Sequence, residues 1–338
     1  MTVHLLVDGT SHTTDRCDLC GSLDRALLAT LDRDEQPLST GICRRCGLVA
    51  HWQRPTEDEL QAFYASEYRT SYHGEVTPSP RRVRRAWDNG QRIYRRLKEF
   101  VGPRDSVFEV GAGIGCTVKA FELNGHRAAG IDPGEGFQRF SHEQLRADVH
   151  NGNVFDLPPH PAHDLILLVH VIEHFRSPRR ALTHIRQLLQ PGGMLYVECP
   201  NLAAPFATRT QLFHFAHITN FTPSSLTMLA ESCGFRVVQW FSDEHNPNLQ
   251  VLLEKCDSAR LNIDENNYSR TLAAIERYNL LTYHLRPTYL LSRVAKLARY
   301  AIEYFIGSRW LNGFVRRCQQ AKPVDVDVAE SSADRRAA

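Results

Sequence analysis

The residues that could do chemistry fall into three groups. The first lies in Val107 to Lys119, VFEVGAGIGCTVK, where a short apolar run containing Glu109 meets Gly111, Gly113 and Gly115. A strand feeding a glycine turn into a helix brings bare backbone N–H groups against a polar, nucleotide-like ligand. The carboxylate two residues before the first glycine suits a cationic ligand better than a phosphate. The second group is Cys17-x2-Cys20 and Cys43-x2-Cys46, with 22 residues between the pairs and Gly21 or Gly47 after each. Four thiolates close a tetrahedral zinc site, and the spacing is close to that of zinc ribbons. No coordination position is left open, so the metal is read as structural. His51 and His73 stand by as alternative ligands that the site does not need. The third group is His170-Val171-Ile172-Glu173-His174 with His217 further on, and imidazoles of this kind serve as bases near neutral pH. His170 and His174 could share a helix face and a metal, but the H-E-x-x-H pattern of zincins is absent, and the metal reading is set aside.

These groups need elements to hold them. Ser106–Val110 and His126–Ile131 read as strands, the second ending at Asp132, 23 residues after Glu109. A carboxylate at that point of a nucleotide-binding βαβ unit accepts hydrogen bonds from ribose hydroxyls. A third strand near 147–151 leads to Asn153 and Val154. A fourth, Asp164–Val169, is apolar almost throughout, as a strand buried on both faces must be. A helix over 179–189, a Gln190-Pro191-Gly192-Gly193 turn and a strand Met194–Glu198 follow. Thr222 then caps a helix that stops at Gly234, before a strand Phe235–Phe241.

Taken in order, these features resemble class I S-adenosylmethionine (SAM)-dependent methyltransferases. Glu109, Gly111, Gly113 and Gly115 match the E/D-x-G-x-G-x-G motif, and His170 to His174 resembles an H-V-L-E-H signature that follows the fourth strand in a subset of them. With Pro191-Gly192-Gly193 and Cys199-Pro200-Asn201, the resemblance covers about 95 residues. It implies an α/β fold, a Rossmann-like doubly wound, mostly parallel sheet, with an N-terminal zinc ribbon and a C-terminal helical extension. It also implies SAM as cofactor, held by Glu109, Gly111, Gly113, Gly115 and Asp132, with Asn153 and Val154 at the adenine and His170 near the methionine part. Glu173 and His174 then face or support the reaction cleft.

The stretch from Pro205 resembles the substrate-proximal part of zinc-containing sugar C-methyltransferases, in which a Tyr-x-x-His precedes a helix start. His217 matches the histidine, but His214 stands for the tyrosine and Ala216 for the usual glutamate. Only about 80 residues follow Glu254, too few for that group's C-terminal domain. The implied activity is methyl transfer to a small molecule: a sugar, a nucleotide-sugar or another biosynthetic intermediate. His217 is the first candidate base and His174 the second, with Glu173 as orienting partner. The rival readings are a methyltransferase of RNA or protein, gripped by the zinc unit and Arg81–Lys98, and a non-catalytic SAM-binding scaffold.

Composition sets the bounds. The 338 residues are 42% hydrophobic, with a mean hydropathy of −0.36, as in a soluble globular protein. No apolar run approaches the roughly 18 residues of a spanning helix. The start lacks a secretory signal, so the chain reads as cytoplasmic, and its cysteines as metal-binding rather than paired. A net charge of +2 argues against general nucleic-acid binding. The sequence divides into a zinc unit 1–75, a basic linker helix 76–101, a SAM-binding domain 102–256, a helical extension 257–320 and a disordered tail 321–338. In the zinc unit, Pro55 to Tyr68 reads as a helix, and Tyr64, Tyr68 and Tyr72 make an aromatic stripe. In the linker, Val83, Trp87, Tyr94, Leu97 and Val101 share an inward face. Its arginines are either a solvated face or a lure for a phosphorylated substrate. In the extension, Leu290, Val294, Leu297, Ala301 and Phe305 form a stripe. Residues 286–318 pack on the core, on another subunit of a homo-oligomer, or on an anionic membrane surface.

Overall fold

A computed structural model describes residues 16–63, 77–204, 207–243, 245–277 and 280–321. The tyrosine stripe 64–72, the tail from 322 and the side chains of Leu290, Val294, Leu297, Ala301 and Phe305 lie outside the described residues.

The first strands among the described residues form an antiparallel hairpin, β1 (Arg25–Leu31) and β2 (Pro37–Cys43), extended by β3 (Val49–His51). Helix α1 (Glu57–Ala62) starts at Thr56, whose hydroxyl and the Glu59 carboxylate form a reciprocal capping box. Helix α2 (Pro80–Leu97) buries Val83, Trp87, Gly90, Ile93 and Leu97. Tyr94 packs edge-on against the buried Phe121 ring as the sequence predicts, Ile93 joins it on the inward face, and Gly90 allows a close approach. A Cβ there would stand 2.8 Å from the Cys116 carbonyl oxygen on the next helix.

The larger sheet follows, as β4 (Ser106–Val110), α3 (Cys116–Glu122), β5 (Arg127–Asp132), α4 (Glu135–Phe140) and β6 (Val149–Asn151). It continues through β7 (His163–Val169), α5 (Pro178–Leu188) and β8 (Leu189–Pro200). After β9 (Thr219–Asn220) come α6 (Pro223–Ser232), β10 (Phe235–Trp240) and β11 (Asn248–Lys255). Strand order is β10-β11-β8-β7-β4-β5-β6. Strands β4 to β8 pair in parallel, and β11 runs antiparallel to both its neighbours. This is the doubly wound, mostly parallel α/β sheet the sequence implies. Because the chain leaves β4 toward β5 and returns on its other side at β7, a crevice opens at the carboxyl ends of these strands.

Two segments differ from expectation. The Pro-Gly-Gly turn lies inside β8. Buried Leu189 already pairs with His163, the ladder resumes at Leu165 and Met194, and the intervening residues bulge out. Strand β11 has no forecast in the sequence, although it fills the gap between β8 and β10.

The N-terminal sheet takes its fourth strand from β9, through Val49–Asn220 and Ala50–Thr219. Its knuckle residues Leu19, Cys43 and Leu48 share one apolar cluster with Ile172, Phe221 and Leu226. A polar rivet joins the same parts. Asp18 accepts from Ser177 Oγ at 2.7 Å and from the Arg179 backbone N–H at 2.8 Å, with the buried Arg54 guanidinium 3.7 Å away. Asp18→Ala strands these donors, and we expect a loss of about 2–4 kcal/mol in urea unfolding. A change below about 0.5 kcal/mol would show that the rivet contributes nothing.

The C-terminal extension is α7 (Asn267–Glu276), α8 (Leu280–His284) and the 34-residue α9 (Pro287–Gln320). The far end of α9 packs on α2, with the rings of Trp87 and Phe314 4.5 Å apart and Phe314 and Cys318 buried. That face is covered by the protein itself and is not free to lie on a membrane. Among the described residues no helix is long and apolar enough to cross one.

Candidate functional site

The crevice holds a cavity of about 340 Å³, within the usual range for small-molecule sites. Its floor is the glycine turn after β4. Gly111 has φ +75, and a Cβ there would strike Val171 Cγ2 at 2.4 Å; Gly113 has φ +55 and opens toward Asp132. Asp132, buried at the end of β5, accepts from the Gly113 N–H through Oδ2 and from the Gly134 N–H through Oδ1, both at 2.8 Å. One carboxylate thus fixes both rims of the cavity and keeps lone pairs for a bound diol. Asn153 and Val154 line the far wall, and Glu57, Leu60 and Arg82 form part of the roof.

Of the residues read as cofactor-binding, Gly111, Gly113, Asp132, Asn153, Val154 and His170 line this cavity, and Glu109 and Gly115 do not. Gly115 lies behind the turn, where a Cβ would overlap Ser141 Oγ. Glu109 is buried against the start of α3, and burial pushes its carboxyl up to about 8, with Thr117 opposing and Asp132 adding to the rise. Its Oε2 has no hydrogen-bond partner. The N–H groups of the turn are not bare, since Gly111 and Ala112 donate to the Ile131 carbonyl oxygen and Gly113 to Asp132; what suits a ligand that brings its own cation, as SAM does, is the orphaned Glu109 oxygen behind them.

A second cavity, about 590 Å³, opens on the other side of His170, and His170 lines both. His170 directly follows β7 with φ +55, a strained position for a non-glycine residue and a frequent mark of function. Arg33, Gln211, His214, His217 and Asn248 help line this second space. The structure brings together the candidate bases that the sequence separates by 43 residues: the rings of His174 and His217 lie 5.1 Å apart, and those of His214 and His217 3.8 Å. Burial holds His217 well below the usual histidine range, with His174, His214 and His170 adding to the effect, and holds His214 down to about 3. Both imidazoles are therefore neutral at pH 7.

Two further residues escape sequence reasoning. Glu198, buried at the end of β8, receives both oxygen contacts from the Arg92 guanidinium at 2.8 and 2.9 Å and the Tyr196 hydroxyl at 2.9 Å. Burial alone would raise its pKa, but Arg92 holds it below the usual carboxylate range. A carboxylate closing an apolar strand, as Asp132 does, was the available signal; its arginine, 106 residues upstream, gave none. Arg92 and Arg96, the latter 2.6 Å from Gln250 Oε1, are thereby committed inside the fold, whereas Arg82 reaches the cavity wall.

The four cysteines converge, with Cys17–Cys46 and Cys20–Cys43 sulfurs each 3.5 Å apart and all four ligand atoms within 4.8 Å. Thiolates on one zinc at about 2.3 Å stand about 3.8 Å from each other, so the set fits that ion. His51 is not among them. It is fully buried, 3.1 Å from Thr40 Oγ1 and 3.2 Å from the His214 carbonyl oxygen, and so props the segment that carries His217.

Burial pushes the His51 pKa down to about 4 from 6.5. A histidine kept neutral by folding contributes stability that is full above the unfolded value and is lost as pH falls from 6.5 toward 4, on the order of 3 kcal/mol. Urea midpoints should drop across that window, and His51→Gln should flatten the slope; an unchanged slope would remove His51 from the account.

Residues 81–240 match the family model described as a methyltransferase domain. A probable SAM-dependent methyltransferase of Mycolicibacterium smegmatis is 28% identical over 162 residues, covering 47% of this chain and 63% of the relative. A tRNA U34 carboxymethyltransferase of Klebsiella pneumoniae is 29% identical over 216 residues, 60% of each chain. The chain thus spans less than two thirds of the length of these curated relatives. Among solved structures, a magnesium protoporphyrin IX methyltransferase of Synechocystis with bound SAH aligns at TM-score 0.46 and 12% identity, over 59% of this chain and 100% of its own. The CcbJ methyltransferase of Streptomyces caelestis aligns at 0.43 and 14%, over 50% and 90%.

Proposed function

We propose that this chain, through its SAM-dependent methyltransferase domain, methylates a small-molecule acceptor: a sugar, a nucleotide-sugar or a related biosynthetic intermediate. The observation that carries the reading is the Asp132 carboxylate pinning the Gly113 and Gly134 N–H groups around a cavity that meets a second one at His170. When bound, SAM supplies an electrophilic methyl carbon on a sulfonium. The protein's task is positioning. Asp132 would hold the ribose, Asn153 and Val154 the adenine edge, and Gly111 and His170 the amino-acid end, with the bound positive charge favouring loss of the proton that burial keeps on Glu109 behind them. The acceptor enters from the cavity lined by His214 and His217, and its proton passes to the His174–His217 pair, with Glu173 orienting the rings. Arg33, on the wall of that acceptor cavity, is placed to attract a phosphorylated acceptor.

We further propose that Cys17, Cys20, Cys43 and Cys46 hold one structural zinc, which through β3 and β9 sets the segment bearing His214 and His217. Incubation with SAM and a panel of sugar nucleotides tests the reading: one product heavier by a single methylene is expected. Methylation of RNA alone, with every small acceptor untouched, would overturn the substrate class.

A further inference from the structure

The wall between the two cavities contains an arrangement that a free imidazole base does not explain. Glu173 is 1% exposed, and neither of its carboxylate oxygens has a hydrogen-bond partner. A carboxylate so deeply buried and without a hydrogen bond is costly unless a cation stands beside it. The groups facing it are nitrogens: His170 Nδ1 is 3.4 Å from Glu173 Oε1 and His174 Nε2 is 4.0 Å from it. His174 Nδ1 sits 2.7 Å from the Ala216 carbonyl oxygen, which can only accept. In the neutral ring the proton is therefore on Nδ1, and the Nε2 lone pair turns toward the carboxylate. Donating one ring N–H to a carbonyl while presenting the other nitrogen is how metal-bound histidines are held. His217 completes the set, and one ligand atom each from Glu173, His174 and His217 lie within 4.8 Å of one another.

We propose that Glu173, His174 and His217 bind a divalent transition-metal ion at this wall, and that the ion takes the acceptor's hydroxyl oxygen as a further ligand. Two imidazoles and a carboxylate suit zinc, manganese, cobalt or ferrous iron. Ligands on one such ion at about 2.1 Å lie roughly 3–4 Å apart, which small ring rotations achieve. The Glu173 carboxylate and the two imidazoles become a stable set once a cation sits between them. The proposal rests on the methyltransferase reading for its role and replaces the free histidine base in it. A hydroxyl bound to the ion is more acidic; its proton leaves to water in the open second cavity, its oxygen forms the new bond to the methyl carbon, and the electrons of the broken S–CH3 bond stay on sulfur. A vicinal diol, as in a sugar, would fill two open positions. The H-E-x-x-H requirement missed this because the third ligand comes from the segment after β8, not from the same helix face.

The test uses full-length protein with its cysteine zinc retained, treated with EDTA and titrated with Mn2+ by electron paramagnetic resonance and calorimetry. The expected result is one Mn2+ bound per chain. Glu173→Gln and His217→Ala should each weaken it at least tenfold while SAM affinity in the same samples is unchanged. Co2+ should give visible bands without thiolate charge transfer, separating this site from the cysteines. Wild-type protein that binds neither Mn2+ nor Co2+, or variants that bind as well as wild type, would overturn the proposal. Metal binding is read directly, so a wild-type protein that takes Mn2+ but not SAM keeps the metal site and refutes the methyltransferase reading instead.

Discussion

Asp132→Ala weakens SAM binding by at least about 100-fold and leaves the fold intact. The carboxylate is the single acceptor joining the Gly113 and Gly134 N–H groups. Its loss removes the partner for a ribose diol and frees both rims of the cavity. Two hydrogen bonds to a charged group, at about 1.5–3 kcal/mol each, correspond to a factor of 100 or more in Kd. The freed N–H groups face the cavity, where water satisfies them, so unfolding is not expected. Asp132→Asn should fall between, since its amide keeps one acceptor oxygen and turns the other position into a donor against a backbone N–H. Calorimetry on the three proteins decides the matter, and a change under tenfold for Asp132→Ala would remove Asp132 from the cofactor site.

The second large effect is at the cysteines. Cys43→Ser should leave the protein without zinc and cost at least about 5 kcal/mol of stability, because apparent zinc-binding energies in such sites run to about 10 kcal/mol or more. The damage should spread. Cys17, Cys43 and Cys46 lie in the same apolar cluster as Phe221 and Leu226, and β3 carries β9, so the segment with His214 and His217 loses its support along with the knuckles. Metal content and urea midpoints measured together provide the check. Cys256→Ser, at a partly exposed thiol outside the cluster, is the control that should change neither. Full zinc content in Cys43→Ser, or an unchanged midpoint, would contradict the assignment.

The strands and glycine turn were legible because their signals are local. Ser106–Val110 is found where an apolar run before glycine predicts it, and Thr222 caps α6 through the Ser225 N–H as its hydroxyl suggests. The cysteine cluster was legible because two knuckles of four residues carry their own geometry. Contacts between distant segments were not. Strand β11 alternates little, so that although Asn246-Pro247 marks a turn before it, its place is fixed only by pairing with β8 and β10. The Arg92–Glu198 pair, the β3–β9 ladder and the approach of His217 to Glu173 join residues 44 to 171 positions apart in sequence, where no periodicity reaches. Glu109 shows the limit from the other side. Its type and spacing were readable, but only the packing of α3 reveals that its carboxylate stands behind the turn rather than in the cavity wall.

The measurement closest to the central claim is a crystal structure of the protein with S-adenosylhomocysteine. The account predicts the ribose hydroxyls on Asp132, the adenine beside Asn153 and Val154, and the amino-acid end over Gly111 toward His170. A nucleoside bound anywhere else, or a turn at Gly111–Gly113 closed against it, would contradict the account.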